Sequence, residues 1–382
     1  MLRSKLPDLG ITIFTRMTQL AQETGAINLS QGFPDFAPPA ALLDAAMRHL
    51  RDGQNQYAPM TGIASLREQV AHKIARRYGR QLDSQREVTI VPGATEAIFC
   101  AIQAVVQPGD EVILLDPSYD SYAPSVHLAG GRCVHVPLQQ PDFSIDWQRL
   151  QAAFSPRTRL LIINSPHNPS GALISRADLD QLAALLRGHD AWLLSDEVYE
   201  HLVYDGQLHA SVLAHDALYQ RAFVVSSFGK TYHVTGWKTG YVAAPPALTD
   251  ELRKVHQYVN FCGVTPLQHA LADFMAAHPE HLDELPHFYQ AKRDLFCQLL
   301  QPSKLRCVPA PGTYFQLADY SAIRDDLDDV AMAEWLTREA GVAAIPISVF
   351  YREPPKDLRL VRFCFAKQDL TLQQAAERLC AL

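Results

Sequence analysis

The chain has no Lys/Arg block, no CxxC pair, no internal repeat and no low-complexity linker. It also lacks any apolar run of the roughly 18 residues that a membrane helix needs. Each absence removes a class of function. A formal net charge of -7 without a basic stretch argues against nucleic acid or an anionic membrane as the main partner, and leaves room only for a local cationic pocket. The seven cysteines, at 100, 133, 262, 297, 307, 364 and 380, are odd in number and scattered. They support neither a disulfide framework nor a thiolate zinc site, and no metal is expected. Met1 to Pro7 carries charge with no long apolar segment behind it, so the expected compartment is a reducing cytoplasm.

What is present is a chain of 382 residues, 48% apolar and 20% charged, large enough for two to three domains. Residues 1–40 read as an arm: a short helix from Phe14 to Glu23, then the Gly32- and Pro34-containing turn Gln31–Phe36. Such a segment cannot bury itself and is expected to pack over another region or a neighbouring subunit. Ala40 to Leu50 and Ile63 to Tyr78 have helical periodicity. From about residue 87, apolar strands alternate with helices. Val88–Val91, Glu111–Leu115, Gly131–Pro137, Leu160–Ile163, Trp192–Leu194, Ala222–Val225 and Gly240–Ala243 predict an α/β domain with a mostly parallel central sheet covered on both faces. Beyond a long helix from Glu280 to Leu300, the pattern changes to a smaller α+β domain. Its expected strands are Arg306–Val308, Thr313–Leu317 and Leu358–Phe363, with helices at Val330–Glu339 and Leu372–Leu382.

Ligands of open α/β sheets bind beyond the carboxyl ends of the strands, and here those ends carry complementary chemistry. After Ala222–Val225 comes Ser226-Ser227-Phe228-Gly229-Lys230, with a second lysine at Lys238. This is either an ordinary surface loop or a partly desolvated amine able to form a Schiff base with an aldehyde cofactor such as pyridoxal phosphate (PLP). Asp196 ends an apolar strand where an unpaired carboxylate is expensive, and a protonated ring nitrogen is its natural partner. Metal binding by Asp196 and Glu197 is disfavoured because adjacent side chains diverge. Gly93-Ala94-Thr95-Glu96 is a helix N-cap or a phosphate cradle. Tyr119 packs under its loop or stacks on a ring; Asn168 suits a phenolic oxygen; His167 is given no proton-transfer role.

In order and spacing these segments, with Asn55-Gln56-Tyr57, Thr235-Gly236-Trp237-Lys238 and Val361-Arg362-Phe363, resemble the class I/II PLP-dependent aminotransferases of fold type I. The likeness is greatest to the methionine aminotransferase and kynurenine/glutamine transaminase branch. The resemblance implies a large PLP-binding domain at 41–285, a small domain at 286–382 and a homodimer. It makes Lys230 the Schiff-base lysine and proton shuttle. Asp196 pairs with the ring nitrogen, Asn168 and Tyr199 hold the ring hydroxyl oxygen, and Tyr119 stacks on the ring. Ala94, Thr95, Ser227 and Lys238 bind the phosphate, joined by Tyr57 from the partner subunit. Arg362, Asn168 and the Gly32 backbone take the substrate carboxylate, and Phe14, Phe33 and Phe261 wall the side-chain pocket. A bulky neutral amino acid and a 2-oxo acid are the implied substrates, in a ping-pong exchange. Cys262 stands where close kynurenine-transaminase relatives carry histidine, which counts against kynurenine itself. A PLP β-lyase would share every cofactor residue and stays open at this point. A regulator built on such a domain would need a basic DNA-binding module, for which residues 1–40 are too short.

Overall fold

A computed structural model describes residues 3–7 and 9–382. Seven strands form the central sheet, in the spatial order Val88–Val91, Gly240–Ala243, Ala222–Ser227, Trp192–Asp196, Thr158–Asn164, Glu111–Asp116, Arg132–Pro137. Gly240–Ala243 runs antiparallel to both its neighbours, and the other pairings are parallel. The near-continuous apolar strands bury both faces. Leu161, Ile163, Leu193 and Val224 pack under the helices Ala64–Tyr78, Arg176–Leu186 and Thr265–Ala277. The alternate residues Leu160, Ile162, Leu194 and Phe223 pack under Ala94–Val105 and Pro246–Val259. Each such side chain contributes about 1.5–3 kcal/mol on burial, so the strand ends are fixed by a core on either side.

The C-terminal region holds a three-stranded antiparallel sheet, Ile345–Pro346, Leu360–Cys364 and Phe315–Asp319. The helices His281–Leu300 and Asp369–Cys380 close its core around Phe296, Phe363 and Leu372. The arm packs here. Its helix Ile13–Thr24 starts at Thr12, whose hydroxyl accepts from Thr15 N, and stops at Gly25 in the left-handed conformation. Met17 and Leu20 then bury against Ile345, Ile347 and Phe350. Ile27–Asn28 pairs in parallel with Val342–Ala343, and Cys364 N donates to Leu29 O at 2.8 Å.

One expected strand does not form. Of Arg306–Val308, only Arg306 makes an isolated bridge, to Asp319. Pro309 and Pro311 follow it, and their missing N–H groups take the chain out of the sheet before a ladder can extend. The helix expected at Val330–Glu339 is α-helical over Asp329–Trp335 and finishes in a π turn over Leu336–Ala340. Four short helices, Tyr122–Leu128, Trp147–Ala153, Asp216–Tyr219 and Phe228–Thr231, lie outside the sequence reading. Among the described residues, no helix is long and apolar enough to cross a membrane.

Candidate active site

Parallel pairing sets Asn164 opposite Asp196 and Asp196 opposite Val225, so two strands finish at one level while Ala222–Ser227 runs two residues past them. Beyond them opens a cavity of about 380 Å³. Its wall brings together Ala94, Thr95, Tyr119, Asn168, Asp196, Tyr199, Ser227, Lys230 and Lys238 from the large sheet's loops with Arg362 from the small sheet. Phe14, Gly32 and Phe33 of the arm close it. The chain's own Tyr57 and Phe261 do not line this cavity. They meet each other edge-on with ring centroids 5.5 Å apart, and Tyr57 is 85% exposed.

Burial sets the electrostatics. Asp196 is buried, and desolvation raises its pKa to about 6, against the pull of the Tyr122 hydroxyl and the Val198 amide. Tyr122 donates to Asp196 Oδ2 at 2.5 Å and Val198 N to Oδ1 at 3.3 Å, so the carboxylate has only neutral donors around it. Asn164 Nδ2 donates to Asp196 O at 2.8 Å while its Oδ1 accepts from Asn168 N at 2.8 Å, tying the two strand ends together. Desolvation also lowers the Lys230 amine to about 8, with Lys238 and Arg362 adding to the fall. Arg362 is fully buried. It donates to Asn168 Oδ1 at 2.5 Å and to Ser30 O at 3.2 Å, lies 3.7 Å over the Phe315 ring, and among the described residues leaves Nε without a partner. A guanidinium with an unmatched buried N–H is an open fork for an anion.

The strand leading to Lys230 is braced from behind. Glu200, buried, accepts from Lys73 Nζ at 2.7 and 2.8 Å, from Tyr78 at 2.6 Å and from Ser226 Oγ at 2.6 Å, joining helix Ala64–Tyr78 to strand Ala222–Ser227. Lys73 holds the Glu200 carboxyl well below its usual range despite burial. Removing one partner strands the other charge, so Lys73→Met is expected to destabilise the fold by about 3–5 kcal/mol. Urea denaturation at pH 7 checks this; an unchanged midpoint would count against the pair as a structural tie.

Comparison with known proteins places the arrangement. The family description "Aminotransferase class I and II" matches residues 24–379. The chain belongs to this aminotransferase family. It is 54% identical to a methionine aminotransferase of Escherichia coli over 377 residues, 99% of this chain and 97% of that one. A kynurenine–oxoglutarate transaminase of Mus musculus is 35% identical, with 96% of this chain and 94% of that one covered. A crystal structure of an Escherichia coli protein with methionine aminotransferase function superimposes with a TM-score of 0.97 at 54% identity, covering all of both chains.

The aminotransferase is an enzyme whose cofactor is pyridoxal 5′-phosphate, and the residues fit that group. A Cβ on Gly93, at φ +83°, would stand 3.3 Å from Lys238 Nζ, and one on Gly240 would press on Ser226 O at 2.7 Å and Ala94 N at 3.2 Å. Glycine at both positions keeps a cradle of backbone and ammonium open where the helix Ala94–Val105 begins. A buried carboxylate whose hydrogen-bond donors among the described residues are neutral stands at one side of the cavity, and a buried amine at another. Glu197 turns away from it, to Ser195 Oγ, His209 Nε2 and Val212 N. His167 is buried and its pKa falls to about 4; it bridges Ser170 Oγ and Pro117 O, and is a loop tie. Among the described residues Glu96, Cys100 and His256 bring possible ligand atoms together under the same helix, where His256 Nδ1 already meets Glu96 Oε1 at 2.7 Å and Nε2 meets Met60 O at 3.0 Å. Sequence reasoning missed Tyr122, Asn164, Phe315 and Tyr314. Asn164 and Tyr122 did stand in the strand-end segments, one residue type at a time; Tyr314 gave no signal at all.

Proposed function

We propose that this aminotransferase takes the amino group from a bulky neutral L-amino acid of the methionine or aromatic type and passes it to a 2-oxo acid. The observation that carries the reading is the cavity's supply of positive charge. Among the described residues its only lining lysines and arginines are Lys230, Lys238 and Arg362. Lys238 faces the phosphate cradle, Arg362 takes the α-carboxylate bidentately, and Lys230 performs the chemistry. None of this chain's own is left for a second carboxylate, while Phe14, Phe33 and Phe315 offer apolar wall.

When bound, PLP supplies a carbonyl carbon that captures amines and a ring that accepts electron density. The protein's part follows from position. Ala94, Thr95, Ser227 and Lys238 hold the phosphate at the helix start. Tyr119 covers the ring face, Asn168 and Tyr199 orient its hydroxyl oxygen, and Asp196 keeps its nitrogen protonated. Arg362, Asn168 and Gly32 fix the substrate carboxylate, which turns the α-hydrogen toward Lys230. With the group bound, the Lys230 amine would be the base that takes the α-proton and the acid that gives it back, and the 2-oxo acid would leave before the acceptor enters. Tyr57 and Phe261 complete a neighbouring site across a homodimer, consistent with the exposed Tyr57, Tyr258 and Val264. Seven unpaired cysteines accord with a reducing cytoplasm.

A panel of donors with a fixed 2-oxo acid tests the reading. Methionine and phenylalanine are expected to exceed aspartate in kcat/KM by on the order of 10²-fold or more, because an unpaired side-chain carboxylate must be desolvated against aromatic wall. Equal efficiency with aspartate would overturn it.

A further inference from the structure

Lys230 Nζ lies 2.9 Å from Tyr314 Oη and 3.2 Å from the carbonyl oxygen of Gly32, and Tyr314 Oη lies 2.6 Å from that same carbonyl. The three groups close a triangle with settled roles. A phenol has one proton, and here it goes to the Gly32 carbonyl across the shortest contact, so the lone pairs of Oη face the amine. The ring centroids of Tyr199 and Tyr314 stand 5.7 and 5.5 Å from Nζ, adding attraction for an ammonium.

The fold enforces this placement. Tyr314 is fully buried. Phe365 N donates to Tyr314 O at 3.0 Å, Thr313 N donates to Leu202 O at 2.9 Å, and the Tyr204 hydroxyl donates to Thr313 O. Thr313 itself has φ +64°, a conformation that a β-branched residue adopts only under constraint. The strain sits immediately before the side chain that meets the amine.

We propose that Tyr314 is a positioning residue for the amino transfer: with the Gly32 carbonyl, its phenol oxygen holds the Lys230 amine at the cavity wall whenever that amine is not bonded to the cofactor. The inference rests on the reading of Lys230 given above. Without this anchor the four-carbon stem samples several rotamers, and the base is in place for only part of the time. Because Gly32 belongs to the arm and Tyr314 to the small sheet's entry, the anchor also ties the amine to the two segments that close the cavity. Asp196, Cys364, Lys238, Arg362 and Tyr199 also face the amine, with Asp196 and Cys364 favouring its charge and Lys238 and Arg362 opposing it.

The test compares wild-type holoenzyme with Tyr314→Phe, and with a protein carrying 3,5-difluorotyrosine at position 314, which keeps the shape and weakens the oxygen as an acceptor. Three quantities are read: kcat and KM for the amino donor, the isotope effect with an α-deuterated donor, and the pH midpoint of Lys230 acylation. The last is followed by peptide mass in enzyme treated with excess donor and no 2-oxo acid, which leaves the lysine free. Tyr314→Phe is expected to keep its cofactor and lose kcat by on the order of tenfold to a hundredfold with KM little changed. The isotope effect should rise, as proton transfer becomes limiting. The midpoint should move below that of wild type measured in the same way, because an acceptor for the ammonium is gone. Difluorotyrosine should shift both quantities the same way by less, and it decides the matter if Tyr314→Phe does not fold. An unchanged isotope effect and midpoint in a folded variant would overturn the proposal, as would loss of the cofactor from the difluorotyrosine protein. Turnover persisting in Lys230→Ala would instead remove the reading beneath it.

Discussion

Lys230→Ala is expected to abolish turnover, by on the order of 10⁵-fold or more, while leaving the fold standing. The two halves of that result have one cause. The amine is buried, and desolvation is the main reason its pKa falls from 10.5 to about 8. In the native state the charged form is therefore disfavoured. Below about pH 8 the amine is protonated in both folded and unfolded chains, and the native state carries the full cost of its burial. That cost fades as pH rises from about 8 toward 10.5. Alanine removes it at neutral pH, against the loss of methylene packing at about 0.8 kcal/mol per buried CH₂ and of the contacts to Gly32 and Tyr314. The cofactor-free variant should thus lie within about 2 kcal/mol of wild type at pH 7 and fall behind it as pH rises toward 10. Guanidinium denaturation of both cofactor-free proteins measures the second half, and amino-donor turnover with a 2-oxo acid measures the first. Retained turnover would remove Lys230 from the chemistry; an unfolded variant would make it a structural residue.

That so much of this cavity was legible in the sequence has a physical reason. A parallel sheet covered on both faces writes its strands as apolar runs, such as Leu160–Ile163 and Ala222–Val225. A polar residue directly after such a run must lie at the sheet's end. Asp196, Asn168 and Lys230 were readable in this way, since each follows a strand and the strands are neighbours. Contacts between segments far apart in the chain leave no such trace. Tyr314 meets Lys230 across 84 positions and Gly32 across 282, and nothing local to Thr313-Tyr314-Phe315 announces it. Tyr122 reaches Asp196 across 74 positions from the first residue of the helix Tyr122–Leu128, and that contact too leaves no local trace. Arg306–Val308 failed in the opposite direction: a strand-like composition was overruled by the prolines after it. The small sheet aligned Arg362 with Leu317 and Ile345, a register set by tertiary pairing and invisible to periodicity.

Asp196→Asn is expected to separate stability from catalysis most sharply. In the cofactor-free protein Asp196 is a buried carboxylate facing only neutral donors, Tyr122 and Val198, and desolvation raises its pKa from 3.8 to about 6. The native state consequently binds the proton more tightly than the unfolded chain between those values, and stability declines as pH rises through the window. Above about pH 6 the native protein carries the whole cost of that charge. Asparagine has no charge to desolvate and keeps an acceptor for the Tyr122 hydroxyl. Cofactor-free Asp196→Asn should therefore be more stable than wild type by about 1–3 kcal/mol at pH 7, with the difference vanishing near pH 4. Adding PLP should reverse the order, because only the carboxylate matches a protonated ring nitrogen and gains from it what burial cost. Turnover should drop by on the order of 10³-fold, the loss of one preorganised charge aimed at the electron-accepting ring. Melting curves at pH 4 and 7, each with and without PLP, make the reversal visible. If the variant is the less stable protein in all four conditions, Asp196 is an ordinary structural carboxylate and not a charge held in wait for the ring.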